Sequence, residues 1–165
     1  GLLDDNVLET LKKIGKMWKN DAPQVKVAET GEPIISKNLA LGQWVEASWG
    51  LDTDIADFAT DEKFYTSWRS EPRIKEPWWQ VNFREITSFN TIAITQDKDD
   101  MSEAYRIEYR LNGEWKTIFE GEAPTFRRVK IHRFDTVHGD AMRVTFLKNK
   151  GSFSVTEMGV YCERR

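Results

Sequence analysis

Ala59-Thr60-Asp61-Glu62-Lys63-Phe64-Tyr65-Thr66-Ser67-Trp68-Arg69, with Trp78-Trp79-Gln80-Val81-Asn82-Phe83 after it, is the stretch that decides how the chain is read. The second segment alternates as a half-buried strand does, with Trp79, Val81 and Phe83 on one face. The first is a polar loop that ends on an aromatic. Asp61 and Thr66 stand five residues apart with no helical period between them. Such a loop folds back so that a carboxylate, a hydroxyl and carbonyls converge on a hard cation. Alternatively, it is a solvated turn whose Asp and Thr satisfy their own backbone. Spacing alone leaves both open.

Outward from this stretch, everything after Asn38 reads as short β-rich runs: Trp44 to Trp49, Trp79 to Phe83, Ser88 to Thr95, Ala104 to Arg110, Trp115 to Glu120, Arg127 to His132, Ala141 to Phe146 and Val155 to Cys162. Asn112-Gly113, Gly121-Glu122-Ala123-Pro124 and His138-Gly139-Asp140 supply turn signals between them. Short strands at this spacing predict an all-β antiparallel sandwich. Seven Trp and nine Phe furnish its core, each able to bury on the order of 150–250 Å².

Residues 1–20 differ in kind. Leu3, Val7, Leu8, Leu11, Ile14 and Trp18 recur at steps of three and four, which predicts one amphipathic helix. Asp4 or Asp5 caps its start, and lysines favour its C-terminal end. Ala22-Pro23, Gly31-Glu32-Pro33 and Ser36-Lys37 mark 21–37 as a linker, leaving 38–165 as the main domain. A lone amphipathic helix needs a surface to cover it, and Gly1 is no initiator Met, so 1–20 reads as a helix left from a preceding domain.

Composition excludes several functions. The 165 residues fit one domain with a real core, and a net charge of −3 offers no basic field for nucleic acid. The apolar runs are too short to cross a bilayer as a helix, and Cys162, the only cysteine, allows no intrachain disulfide. There is no Gly-x-Ser-x-Gly, no Gly-rich phosphate loop, no His-Glu-x-x-His and no cysteine pair at metal spacing. The two histidines, His132 and His138, are read as surface residues at a strand end and in a turn. The chain is therefore expected to be non-catalytic.

In order and register, the segments resemble the discoidin, or coagulation-factor C-type, domain, whose superfamily includes the family 32 carbohydrate-binding modules. Asn38 to Ser48 is similar to its first strand, Ala59 to Trp68 to its metal loop, and Trp78 to Phe83 to its second strand. Ile92 to Ile94, then Tyr105 to Tyr109 with Trp115, are similar to its central strands, and Met142 to Phe146 with Val155 to Tyr161 to its closing pair. Glu62 replaces the usual glycine after the motif's Asp, so the turn must form without one. The cysteines that clamp the ends of animal members are absent, which favours a bacterial sugar-binding member. The leading helix resembles the last barrel helix of family 29 α-L-fucosidases, which often carry such a domain. Chitobiase-type β-N-acetylhexosaminidases carry such modules too.

The resemblance implies a jelly-roll, galactose-binding-like module that binds a terminal galactose, N-acetylhexosamine or fucose through loops at one end of the sandwich. Those loops hold Trp49, Asp52 and Asp54, then Arg69, Glu71 and Arg73, then Asp97, then Asn149 and Phe153. It also implies a structural Ca²⁺ held by Asp61, Glu157 and Thr66 with carbonyls of Phe58, Lys63 and Thr156, and the Lys63 ammonium turned to solvent. A periplasmic or extracellular location follows from the resemblance alone. The competing expectation is a structural accessory domain that packs on the parent catalytic barrel. Membrane binding is disfavoured, because the first loop is acidic.

Overall fold

The structure, a computed structural model, describes residues 5–18, 34–49, 55–97, 102–122, 128–149 and 154–164. The chain divides into two compact units, Gly1–Pro33 and Ile34–Arg165. In the first, helix α1 (Asp5–Trp18) has an acid in its first turn and Lys16 in its last, as its dipole favours. Its apolar residues Val7, Leu8, Leu11 and Ile14 are exposed.

The second unit is built from strands β1 (Trp44–Ala47), β2 (Trp68–Arg69), β3 (Trp78–Thr95), β4 (Ala104–Leu111), β5 (Glu114–Glu122), β6 (Val129–Lys148), β7 (Ser154–Val155) and β8 (Glu157–Tyr161), with a 3-10 turn at Ala56–Thr60. All pairings are antiparallel. The main sheet runs β1-β3-β6-β4-β5, with β8 also on β3, and β2 pairs β7 separately. This is the expected antiparallel β architecture.

Its long strands are a finding. The sequence suggests separate strands at 79–83 and 88–95, yet β3 is continuous and bends between Asn82 and Thr87, where its register on β6 shifts. The first half of β3 pairs β1 and the second half pairs β8. Likewise the turn expected at His138-Gly139-Asp140 lies inside β6. Gly139 is there for close approach: a Cβ would meet the Arg110 carbonyl at 2.9 Å. The bend is packed by Phe83 on Phe89, 5.7 Å between rings, and by Phe134 edge-on to Phe89. A further register shift at Phe89/Thr91 moves the buried parity from Trp79, Val81 and Phe83 to Ile92 and Ile94. The Asn112-Gly113 turn joins β4 to β5 with both residues at positive φ, 56° and 82°, as a tight hairpin requires.

One core member is unexpected from its residue type. Lys130 is 2% exposed. Its ammonium donates to Gln96 Oε1 at 2.6 Å and to the Ser102 carbonyl at 3.3 Å, and it lies over the Tyr105 ring. Tyr105 O–H meets His132 Nε2, so His132 is half-buried in a ring cluster with Tyr105 and Phe119 and is no surface residue. Burial pushes Lys130 down to about 8 and raises Tyr105. Above pH 8 the folded lysine sheds its proton while the unfolded one keeps it to about 10.5. The unfolded state then binds more protons, so stability rises with pH. Past pH 10 the ionising tyrosine of the unfolded chain opposes this. Urea melts of the wild type are expected to gain stability from pH 8 to 10, with an upper slope of about 1.4 kcal/mol per pH unit. Lys130→Met is expected to flatten that rise, and an equal rise in the variant would assign it to another group.

Candidate functional site

Several described residues from the segments expected at one end of the sandwich are tied to one another. β2 pairs β7, setting Arg69 opposite Ser154 and Trp68 opposite Val155. The Glu71 amide donates to the Trp49 carbonyl at 3.3 Å, which ties the first loop to the second. Gln96 Nε2 donates to the Ser154 carbonyl at 3.3 Å, which brings in the third. Asn149 follows directly on β6 and leads into the fourth. Sequence gives no sign of Gln96 or Ser154, because their role as buried braces depends on partners far away in the chain.

The expected sugar contacts fall into distinct positions. Trp49, two residues past β1, is 63% exposed. Glu71 is buried and accepts from the Arg73 amide at 3.1 Å and from Arg73 Nε at 2.7 Å, so it shapes its own loop. Arg73 is otherwise open to solvent. Asp97 is exposed and lies 3.8 Å from Arg128. Asn149 donates to the Phe146 carbonyl at 3.2 Å. Its Oδ1 is a buried acceptor with no partner among the described residues. Asp52, Asp54 and Phe153 lie outside the described residues.

The second cluster is the loop after the 3-10 turn. Asp61 Oδ1 accepts from the Lys63 amide at 2.9 Å. Thr66 Oγ1 reaches both Asp61 oxygens, at 2.9 and 3.0 Å, and the Lys63 carbonyl at 2.9 Å. A carboxylate, a hydroxyl and a carbonyl therefore share one spot. Glu62 takes φ 59°, the left-handed conformation that the missing glycine would adopt readily. The Lys63 ammonium lies 3.9 Å from Asp61 instead of turning fully to solvent, and so offsets part of that charge.

β8 packs against the 3-10 turn and brings in Glu157. Asn38 Nδ2 donates to Glu157 Oε1 at 3.4 Å, while Oε2 is buried with no partner among the described residues. Desolvation first, then the charges of Asp61 and Glu62, push Glu157 up to about 7, against the Glu62 backbone amide and Asn38, which pull it down. Thr156 is buried, its amide on the Thr95 carbonyl at 2.8 Å, and Phe58 lies in the 3-10 turn. Among the described residues no three His, Cys, Asp or Glu side chains gather at metal distance. A cation here would rely on carbonyl and hydroxyl oxygens beside two carboxylates, a donor set of hard oxygens suited to Ca²⁺ and unlike a zinc site.

The fold has close structural relatives. The family 32 carbohydrate-binding module of Clostridium perfringens NanJ, solved with galactose, matches with a TM-score of 0.71 at 21% identity, over 77% of this chain and 98% of that one. The module CpGH89CBM32-5 of C. perfringens, solved with GalNAc-β-1,3-galactose, matches at 0.69 and 18% identity, over 76% and 99%. A family 29 fucosidase of Ruminococcus gnavus, solved with fucose, matches at 0.68 and 19% identity. That last match covers 98% of this chain and 31% of the fucosidase, so the chain spans under a third of its length. No curated relative matches the sequence. The sequence pattern of the F5/8 type C domain fits residues 43–158, well over half of the chain, and the protein belongs to that family.

Proposed function

We propose that the second unit is a non-catalytic carbohydrate-binding module that holds a terminal sugar in the loops around Trp49, Arg69 and Asn149. The observation that carries this reading is the set of ties that draws Trp49, Glu71 and Gln96 onto the β2–β7 pair. Trp49 adds an exposed indole, and Arg69 adds a guanidinium on β2. An indole covers the apolar face of a sugar ring, and planar polar groups take its hydroxyls. The resemblance to modules solved with galactose and with GalNAc-β-1,3-galactose supports the same class of ligand.

Such a module raises the effective concentration of glycan for a linked enzyme. The match to the R. gnavus fucosidase supports an exo-glycosidase parent exported from a bacterial cell. Galactose, N-acetylgalactosamine, N-acetylglucosamine and fucose are the ligands to titrate. The expected dissociation constant is roughly 0.1–10 mM, or about −3 to −5 kcal/mol. The checking measurement is a shift of the Trp49 indole N–H and Asn149 side-chain amide resonances, lost in Arg69→Ala. Silence of both resonances at tens of millimolar of every sugar rejects the reading. The exposed apolar face of α1 favours a second role, packing on the parent catalytic domain, which would then be the sole one.

The loop at Asp61 is proposed to hold a structural Ca²⁺. Asp61, Thr66 and Glu157 would supply side-chain oxygens, and Phe58, Lys63 and Thr156 carbonyls. The fit rests on the orphaned Glu157 Oε2 and on the oxygens gathered around Thr66. When bound, the ion would neutralise the carboxylates and fasten the loop to β8.

A further inference from the structure

The outer face of the main sheet carries a feature that the end-loop reading does not use. Antiparallel partners project to the same side, so the registers lay Trp44, Asn82, Ala141, Arg110 and Trp115 in one row across five strands. Four strand spacings put the two indole positions about 19 Å apart along the sheet. Polar side chains on such a face normally stand in solvent, yet Gln80 and Thr145 are only 3% and 6% exposed. They are covered by a stack in which the Arg143 guanidinium lies 4.7 Å from the Trp78 ring and 4.3 Å from the Trp115 ring.

The polar groups of this face are fixed by one another. Gln80 Oε1 accepts from Arg143 Nε and Nη2 at 2.9 and 2.6 Å. Gln80 Nε2 donates to Asn82 Oδ1 at 2.7 Å and to Glu46 Oε2 at 3.2 Å, and Asn82 Nδ2 donates to the same carboxylate oxygen at 3.2 Å. Arg110 Nε donates to Asp140 at 2.8 Å. Trp44, 71% exposed, stands beside this braced array with its ring committed to none of it.

We infer that this face is a second glycan-binding surface, in which Trp44 stacks on a sugar ring and Asn82, Glu46 and Arg110 take its hydroxyls. A ring with an apolar face and a rim of hydroxyls needs one flat aromatic beside planar groups that both donate and accept. Glu46 and Arg110 keep lone pairs and N–H groups beyond the bonds they already make, and a braced array loses little entropy on binding. The charges of Arg106 and Arg110 are already paired with Glu108, Glu120 and Asp140, and Arg143 is taken by Gln80 and two indoles. The ligand that fits is therefore a neutral oligosaccharide, not a phosphorylated or sulfated one. The row is long enough for a chain of several rings, where the end loops are read as taking one terminal sugar.

The test is a titration of the full ¹⁵N-labelled chain with chitotriose, a neutral chain of three sugars, read at the indole N–H of Trp44 and the side-chain amide of Asn82. Trp44→Phe assigns the first resonance. Both are expected to move on a millimolar curve that Arg69→Ala leaves intact. Trp44→Ala should weaken binding read at Asn82 at least tenfold with an unchanged melt, since that indole supports no core contact. Failure at the end loops is read separately, at Trp49 and Asn149. No movement at tens of millimolar chitotriose overturns the inference, as does movement that disappears in Arg69→Ala. Sugar-free changes at Trp44 that grow with protein concentration, matched by self-association in sedimentation, overturn it in favour of a protein interface.

Discussion

Trp79→Ala is expected to cost about 3–5 kcal/mol, the range for emptying the site of a buried tryptophan. Domains of this size have about 5–15 kcal/mol in total, so the variant is expected to lie at or near the edge of folding. Trp79 is fully buried at the centre of the core, between β1 and β6 by register. Its indole N–H donates to the Ala56 carbonyl at 3.0 Å. That bond joins β3 to the 3-10 turn that starts the Asp61 loop. Trp79→Phe keeps most of the volume and loses this bond, leaving a carbonyl without its donor at a cost of about 1–3 kcal/mol. Chemical denaturation with a near-ultraviolet probe separates the two variants. The phenylalanine variant is expected to fold cooperatively with a lower midpoint. A stability loss below about 1 kcal/mol for Trp79→Ala would show that the core closes over the gap or that Trp79 is not its centre.

The same residue shows what sequence makes legible. Alternation of Trp79, Val81 and Phe83 with Gln80 and Asn82 announces a strand with one buried face, and all three apolar side chains are buried there. The bends are illegible for a physical reason. Gly139 looks like a turn, and the stretch before Thr87 like a break between two strands, yet hydrogen bonding to a neighbouring strand carries the chain through both. Only the partner's register tells a bulge from a turn. β2 is two residues long, too short to show a period, although it sets Arg69 opposite Ser154. Lys130 is the opposite case. A lysine reads as solvent-facing, and its place in the core depends on Gln96 and Ser102, which lie about thirty residues earlier in the chain. The local loop was readable because its chemistry is local. Asp61, Lys63 and Thr66 bond within six residues, whereas the orphaned oxygen of Glu157 appears only once β8 is placed.

Removing divalent metal is expected to lower the melting temperature, and the size of the loss should depend on pH. Without an ion, Glu157 is pushed up to about 7 from an ordinary value of 4.5. The folded state then holds a proton that the unfolded state has released. This stability is fully present below pH 4.5 and is lost as pH rises to 7. Calcium needs the ionised carboxylate, so it competes with that proton. Its stabilisation is expected to be small near pH 5 and to reach about 2.7 kcal/mol at pH 7.5 with the ion at a hundredfold excess over its dissociation constant. For a unit of this size that is roughly 5–15 °C in melting temperature. The Lys63 ammonium near Asp61 must move aside, so calcium is also expected to reduce contact between the two side chains. Asp61→Ala should abolish the calcium response. Glu157→Gln should abolish it too, and should also remove the fall in metal-free stability between pH 4.5 and 7, because an amide cannot titrate. The two variants therefore separate ion binding from simple charge relief. Metal-stripped protein that melts identically in calcium and in chelator at pH 7.5 would remove the ion from the account. The pH-dependent fall would then remain as the mark of a buried carboxylate alone.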